Sequence, residues 1–189
     1  MAGYVDIPHS TYDEWKTNTI GNYYDLDGQY GAQCWDYASL FWRNVGFPAG
    51  YPQTGNGYAY GCWTLRKNIN AGNKFDLIEL LSLVKKGDVV VLDRGRFAGD
   101  EAGHIAFADE DYNGGNTLRL LGQNQENSSA ITGYKVTLDN MSVIKFLGAF
   151  RYKDWETPPP PPPPVEVKKR KGFPWSIYGE QIRRGYIIN

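Results

Sequence analysis

The chain of 189 residues is poor in several things, and each shortage narrows what it can be. It has two cysteines, Cys34 and Cys62, too few for a disulfide framework, although a single bridge between them stays open. It has two histidines, His9 and His104, so any imidazole chemistry has two candidates. It lacks a charge excess: the formal net charge is −1, which gives the whole chain no electrostatic reason to bind nucleic acid. No stretch approaches the ~20 consecutive apolar residues of a membrane span. The start, "MAGYVDIPHSTYDEW", has neither a basic region nor an apolar run, so no signal peptide is expected. The expected place of synthesis is then a cytoplasm, and action outside it would need a separate release step.

What is abundant is aromatic surface: 14 Tyr, 8 Phe and 6 Trp, with 41% hydrophobic residues in all. That is enough for a packed core, and aromatics favour strands. The clearest boundary is Pro158 to Pro164, seven prolines that form an extended spacer of roughly 3 Å per residue. The expected organisation is a body over 1–156, a polyproline linker over 157–164 and a short tail over 165–189. The tail sets Lys168, Lys169, Arg170, Lys171, Arg183 and Arg184 against Glu166 and Glu180, a net charge of +4 that leaves the rest at −5. Such a split suggests two jobs, with the tail a docking or surface-binding segment.

Within the body, helices precede strands. Thr11 and Glu14 form a capping-box pair ahead of a short helix. From Cys34, apolar residues recur at Ala38, Phe41 and Val45, one face of a helix that Gly46 and Pro48 stop. Residues 47–63 are rich in glycine and aromatics and read as a loop, and "KFDLIELLSLVKKG" reads as a helical segment with a turn. "GDVVVL", "GHIAFAD", "TLRLLGQN", "GYKVTLD" and "VIKFLGAFRY" read as strands, with a turn at Asn113 to Asn116. Helices followed by an antiparallel meander make an α+β fold with N-terminal helices packed on an antiparallel sheet.

Cys34 falls at the first turn of its helix. Free amides and the helix dipole there favour a thiolate, so a lowered thiol pKa is expected, and the same amides can hold an oxyanion. A thiolate needs a base. His104 opens the strand "GHIAFAD" after a polar loop, and Asn124, one strand on, can orient the imidazole. Cys, His and Asn in that order form a papain-type arrangement.

The acids before the cysteine have a spacing of their own. With Asp25 as position 1, Asp27 is 3, Gln29 is 5, Gly31 is 7 and Asp36 is 12, the ligand positions of an EF-hand-like calcium loop. Position 6 is Tyr30 instead of glycine, and position 12 is Asp instead of Glu. A Ca2+ bound there would fix the loop against the helix start and offset three clustered negative charges.

Three motifs, "DGQYGAQCWDYA", "KKGDVVVL" with "GHIAFAD", and "LLGQNQ", together resemble the CHAP family, the cysteine/histidine-dependent amidohydrolase/peptidase domains common in phage endolysins. The resemblance runs from about Tyr23 to Tyr152. It implies a papain-like α+β fold, cleavage of an amide bond in peptidoglycan, Cys34 as nucleophile, His104 as base, Asn124 as orienting residue, and a structural Ca2+ in the acidic loop. It also implies action on the bacterial cell wall, with the basic tail or further subunits adding contact to anionic wall polymers. One departure stands out. Many relatives carry glutamate two residues before that asparagine, where this chain has Gly122. Asp109 or Glu110 could supply a carboxylate instead. The alternative to an enzyme is a non-catalytic wall-binding or virion structural module on the same scaffold.

Overall fold

The computed structural model describes residues 5–70, 72–96, 99–125 and 135–155. The polyproline linker and the basic tail expected at 157–164 and 165–189 lie outside the described residues.

The first helix, α1, spans Tyr12–Thr19. Thr11 caps it by accepting from the Glu14 amide at 3.1 Å. The Glu14 carboxylate reaches back one residue further than a standard capping box, to the amide and hydroxyl of Ser10 at 2.8 and 2.7 Å. Thr11→Ala should therefore cost about 1 kcal/mol, read as a lower urea midpoint at unchanged slope.

The second helix, α2, spans Cys34–Asn44 and buries Tyr37, Ala38, Leu40, Phe41 and Trp42. Two single-turn helices follow, α3 at Gly61–Thr64 and α4 at Arg66–Ile69. The strands are β1 Phe75–Ile78, β2 Val89–Leu92, β3 His104–Ala108, β4 Thr117–Gly122, β5 Thr137–Ser142 and β6 Phe146–Tyr152. They form one sheet in the order β1-β6-β2-β3-β4-β5, with every neighbouring pair antiparallel. The α+β architecture is as the sequence suggested.

Two segments differ, the first being the end of the 47–63 stretch, where α3 begins at Gly61 instead of a loop. Residues 74–87 carry β1 and a 3-10 turn at Leu81–Leu83, with no α-helix. Phe75 is buried on the helix side of the sheet and Ile78 on the opposite face, and β1 pairs with β6 from Phe75↔Tyr152 to Ile78↔Ala149. The Phe75 ring stacks on Trp42 at 4.8 Å. Sheet pairing and that aromatic contact outweigh local helical preference.

Alternation along β2 and β3 divides the interior. Val89, Val91, Ile105 and Phe107 join the helices, while Val90, Leu92, Ala106 and Ala108 fill the opposite face. The helix-side core is largely aromatic. Phe41 and Tyr37 meet Phe107 edge-on at 5.0 and 5.4 Å, and Trp15 stacks on Tyr37 at 5.7 Å. These contacts seat α2 across β3, which brings the start of one element to the start of the other.

Candidate active site

Cys34 is the first residue of α2 and is buried, 8% exposed. The backbone amides of Ile105, the residue after His104, and of Trp35 act on its sulfur in favour of the charged form. Nucleophile and imidazole therefore start from neighbouring backbone, and the Arg96 charge acts on both. No direct hydrogen bond joins thiol and imidazole among the described residues. Both cysteines are free.

The electrostatics differ from the expectation for a helix start. Burial pushes the Cys34 thiol up. The amides of Ile105 and Trp35 and the Arg96 charge pull it down, while Asp36 raises it further. Desolvation of a nearly enclosed sulfur outweighs the helix end. Burial also pushes His104 down to about 3, with Arg96 adding to the shift and Gln125 and Asp100 opposing it. At neutral pH the resting pair is a thiol and a neutral imidazole.

Asn124 takes the left-handed region, φ 56°, which asparagine tolerates better than most residues. Its amide donates to Gln33 Oε1 at 2.7 Å, one residue before the nucleophile. Its Oδ1 is buried with no hydrogen-bond partner among the described residues. The side chain that reaches His104 is the next one: Gln125 Oε1 lies 3.4 Å from His104 Nε2. Asp109 and Glu110 supply no carboxylate here. Asp109 accepts from Tyr12 and Lys16 and pairs with Arg119 at 2.8 Å. Glu110 accepts from the Arg119 amide.

Gln123, which no sequence pattern singled out, is fully buried and clamps the site. Its amide nitrogen donates to Tyr24 O at 2.7 Å and Gln33 O at 2.9 Å, and its Oε1 accepts from Tyr24 N at 2.9 Å. The acidic loop and the nucleophile's helix are thus tied to the end of β4. The buried pair Arg96–Asp100, 2.8 Å, was missed as well. Arg96 also donates to Gly103 O, fixing the turn before His104.

In the acidic loop, Asp25, Asp27 and Asp36 each bring a carboxylate oxygen within 4.8 Å of the others. Asp36 is buried, and its oxygens accept from Leu26 N and Gln33 N, both at 2.9 Å. Burial pushes its carboxyl up to about 6, and Asp27 and Asp25 add to the shift. The Gln29 backbone N–H donates to Asp27 Oδ1. Tyr30, where an EF-hand has glycine, adopts the left-handed region at φ 63°, and Gly31 follows at φ 71°. Tyr30 thus takes, at some steric cost, the backbone conformation that glycine adopts freely. Three hard carboxylates converging this closely suit Ca2+, and each oxygen keeps a lone pair beyond its amide bond.

Of the aromatics in 47–63, Trp63 is buried against Phe150 at 5.4 Å, and Tyr51 packs on Phe47 at 5.3 Å. Tyr58 and Tyr60 stack on each other at 6.0 Å, with Tyr58 40% exposed. Arg94 lies over the Tyr60 ring, and Tyr60 N donates to Ala102 O in the turn ahead of His104.

Comparison with known proteins bears on this geometry. The family model for the CHAP domain matches residues 22–124. A D-alanyl-L-alanine endopeptidase of Streptococcus phage B30 is 36% identical over 117 residues, 61% of this chain. The match takes in 25% of that protein, so the chain spans about a quarter of the length of this curated relative. The crystal structure of the wild-type endolysin LysIME-EF1 is similar with a TM-score of 0.56 at 23% identity, covering 75% of this chain and 64% of that one. The last likeness speaks to the fold.

Proposed function

Because the chain belongs to the CHAP domain family, we propose that it is a peptidoglycan hydrolase of the phage endolysin type, with Cys34 as nucleophile and His104 as base. The observation that carries this reading is Cys34 as the first residue of α2, with the amide of Ile105, next to the residue that bears the imidazole, acting on its sulfur.

The chemistry follows from the resting protonation. As Sγ approaches a wall-peptide carbonyl carbon, its proton passes to neutral His104. The carbonyl becomes a tetrahedral oxyanion, which the amides of the first residues of α2 would stabilise. His104 returns the proton to the leaving amine as the C–N bond breaks. Water then attacks the thioester, His104 takes a proton from it, and the thiol is restored. In this reading Asn124 steadies Gln33 and the start of α2. Tyr58 and Tyr60 line the approach.

The phage relative's activity favours an endopeptidase, with a D-alanyl-L-alanine bond as the target. Mass spectrometry of digested walls tests this. Fragments with a new alanine amino terminus are expected. Release of intact peptide from glycan would instead mean an amidase, and no new termini would refute the enzyme. Contact of the basic 165–189 segment, or of further subunits, with anionic wall polymers belongs to the same proposal. No described helix is long and apolar enough to cross a membrane.

Asp25, Asp27 and Asp36 would hold Ca2+, with Gln29 and Gly31 of the same loop supplying further oxygens. The ion would neutralise the clustered carboxylates and stiffen the loop that Gln123 ties to the nucleophile's helix. Removal of calcium should lower both melting temperature and wall hydrolysis, and restoring it should recover both. The stabilisation is about 2.7 kcal/mol at free calcium ~100 times Kd. Equal values of both, with and without chelator, would exclude the site.

A further inference from the structure

We propose that Gln125 is the positioning residue of the imidazole, fixing His104 as the tautomer with hydrogen on Nε2, and that Gly122 is glycine because the Ala106 Cβ and the Gln125 side chain together leave no room there. The inference rests on the reading of His104 as the base.

The argument begins with the surroundings of the Gln125 amide. Its nitrogen lies 3.1 Å from Leu120 O, 3.0 Å from Thr137 O and 3.2 Å from Asp139 Oδ2. Thr137 Oγ1, 3.5 Å away, also accepts, because its own proton goes to Asp139 Oδ2. All four neighbours accept and none donates, so the amide has one acceptable orientation, with NH2 toward them and Oε1 toward His104. Flipping it would press an oxygen against several oxygens. An oxygen at 3.4 Å from Nε2 can only accept, so Nε2 carries the proton and Nδ1 keeps the lone pair that a base needs. The distance is long for a hydrogen bond, as catalytic contacts often are before substrate tightens them.

The register of the sheet explains the placement. Gly122 pairs with Thr137, and Leu120 with Asp139, so the chain leaving β4 folds Gln125 back over the β4–β5 pair. A Cβ on residue 122 would stand 2.9 Å from Gln125 Oε1 and 2.8 Å from the Ala106 Cβ. A side chain at 122 and this placement of Gln125 exclude each other. Glutamate at 125 would not serve, since its second oxygen would face the same acceptors with no proton to give.

The test is a long-range 1H–15N correlation on the 15N-labelled full chain near neutral pH, without substrate. Only two histidines contribute. His9 is an internal contrast, since its Nδ1 lies 2.6 Å from Ile7 O and must carry the hydrogen. Wild type should show His104 protonated on Nε2. Gln125→Leu should give mixed tautomers and a kcat on muropeptide reduced up to about a hundredfold, with KM within about twofold. Gly122→Ala should shift the His104 signals in the same direction. A wild-type His104 protonated on Nδ1 overturns the proposal, as does a folded Gln125→Leu with unchanged tautomer and kcat. Should the variants not fold, the wild-type spectrum still decides. Absence of wall hydrolysis by wild type would sink the enzyme reading while leaving the tautomer result independent.

Discussion

Cys34→Ala is expected to leave bacterial wall suspensions unlysed, at a rate at least ~10⁴-fold below wild type. The one other cysteine in the sequence cannot take over. The second cysteine, Cys62, is fully buried in the aromatic core, its thiol pushed far up by desolvation. Serine at 34 should be almost as inactive. A hydroxyl is far less acidic than a thiol, and the neutral His104 imidazole, already pushed down to about 3, is too weak a base to compensate. The alanine variant should keep its fold, because it removes one sulfur from a site at the end of a helix and leaves α2 on β3 untouched. Near-ultraviolet circular dichroism and melting temperature check that. Wall binding measured on the same protein separates the two classes of function. A variant that binds walls and does not cut them fits the hydrolase. A variant that clears walls like wild type removes Cys34 from the chemistry and favours a different nucleophile or a contaminating enzyme.

How far such a site can be read before the fold is known depends on the kind of residue. Cys34 and His104 were legible because their chemistry is rare in this chain and each opens a periodic element. The convergence of the three aspartates was legible because their spacing folds the carboxylates of one loop together. Gln125 was not legible. Its contact with His104 depends on the β4–β5 register and on the side chain that Gly122 lacks, and neither shows in local pattern. Asn124 had the expected residue type at the expected place, yet its left-handed backbone turns the amide to Gln33. The direction of the Cys34 shift was also out of reach. A helix start can be inferred from periodicity, but how completely neighbouring strands close over the sulfur cannot. β1 was misread because "FDLIELLSLV" fits a helical face about as well as a strand, and only its partner β6 decides.

The stability of the folded chain should carry the signature of the same histidine. His104 is fully buried and its folded pKa is about 3, against 6.5 for an ordinary imidazole. Between those values the unfolded chain binds a proton that the folded chain refuses. The contribution is present in full above about 6.5 and is lost as pH falls toward about 3. It amounts to roughly 5 kcal/mol across the window, undiminished by solvent screening because the ring is enclosed. Asp36 works in the opposite sense. Its folded carboxyl sits near 6, above the ordinary 3.8, so its contribution is present below 3.8 and lost as pH rises through about 6. The two partly cancel between pH 4 and 6, and the wild-type curve alone would hide both. The informative quantity is the difference between wild type and His104→Gln, measured by urea unfolding across pH 3.5 to 7.5. Wild type should lose several kcal/mol more than the variant on acidification, with most of the divergence below pH 6. Parallel curves would mean that the imidazole accepts a proton in the folded state as readily as in the unfolded one. The ring would then be solvated, with a pKa near the ordinary 6.5 instead of about 3.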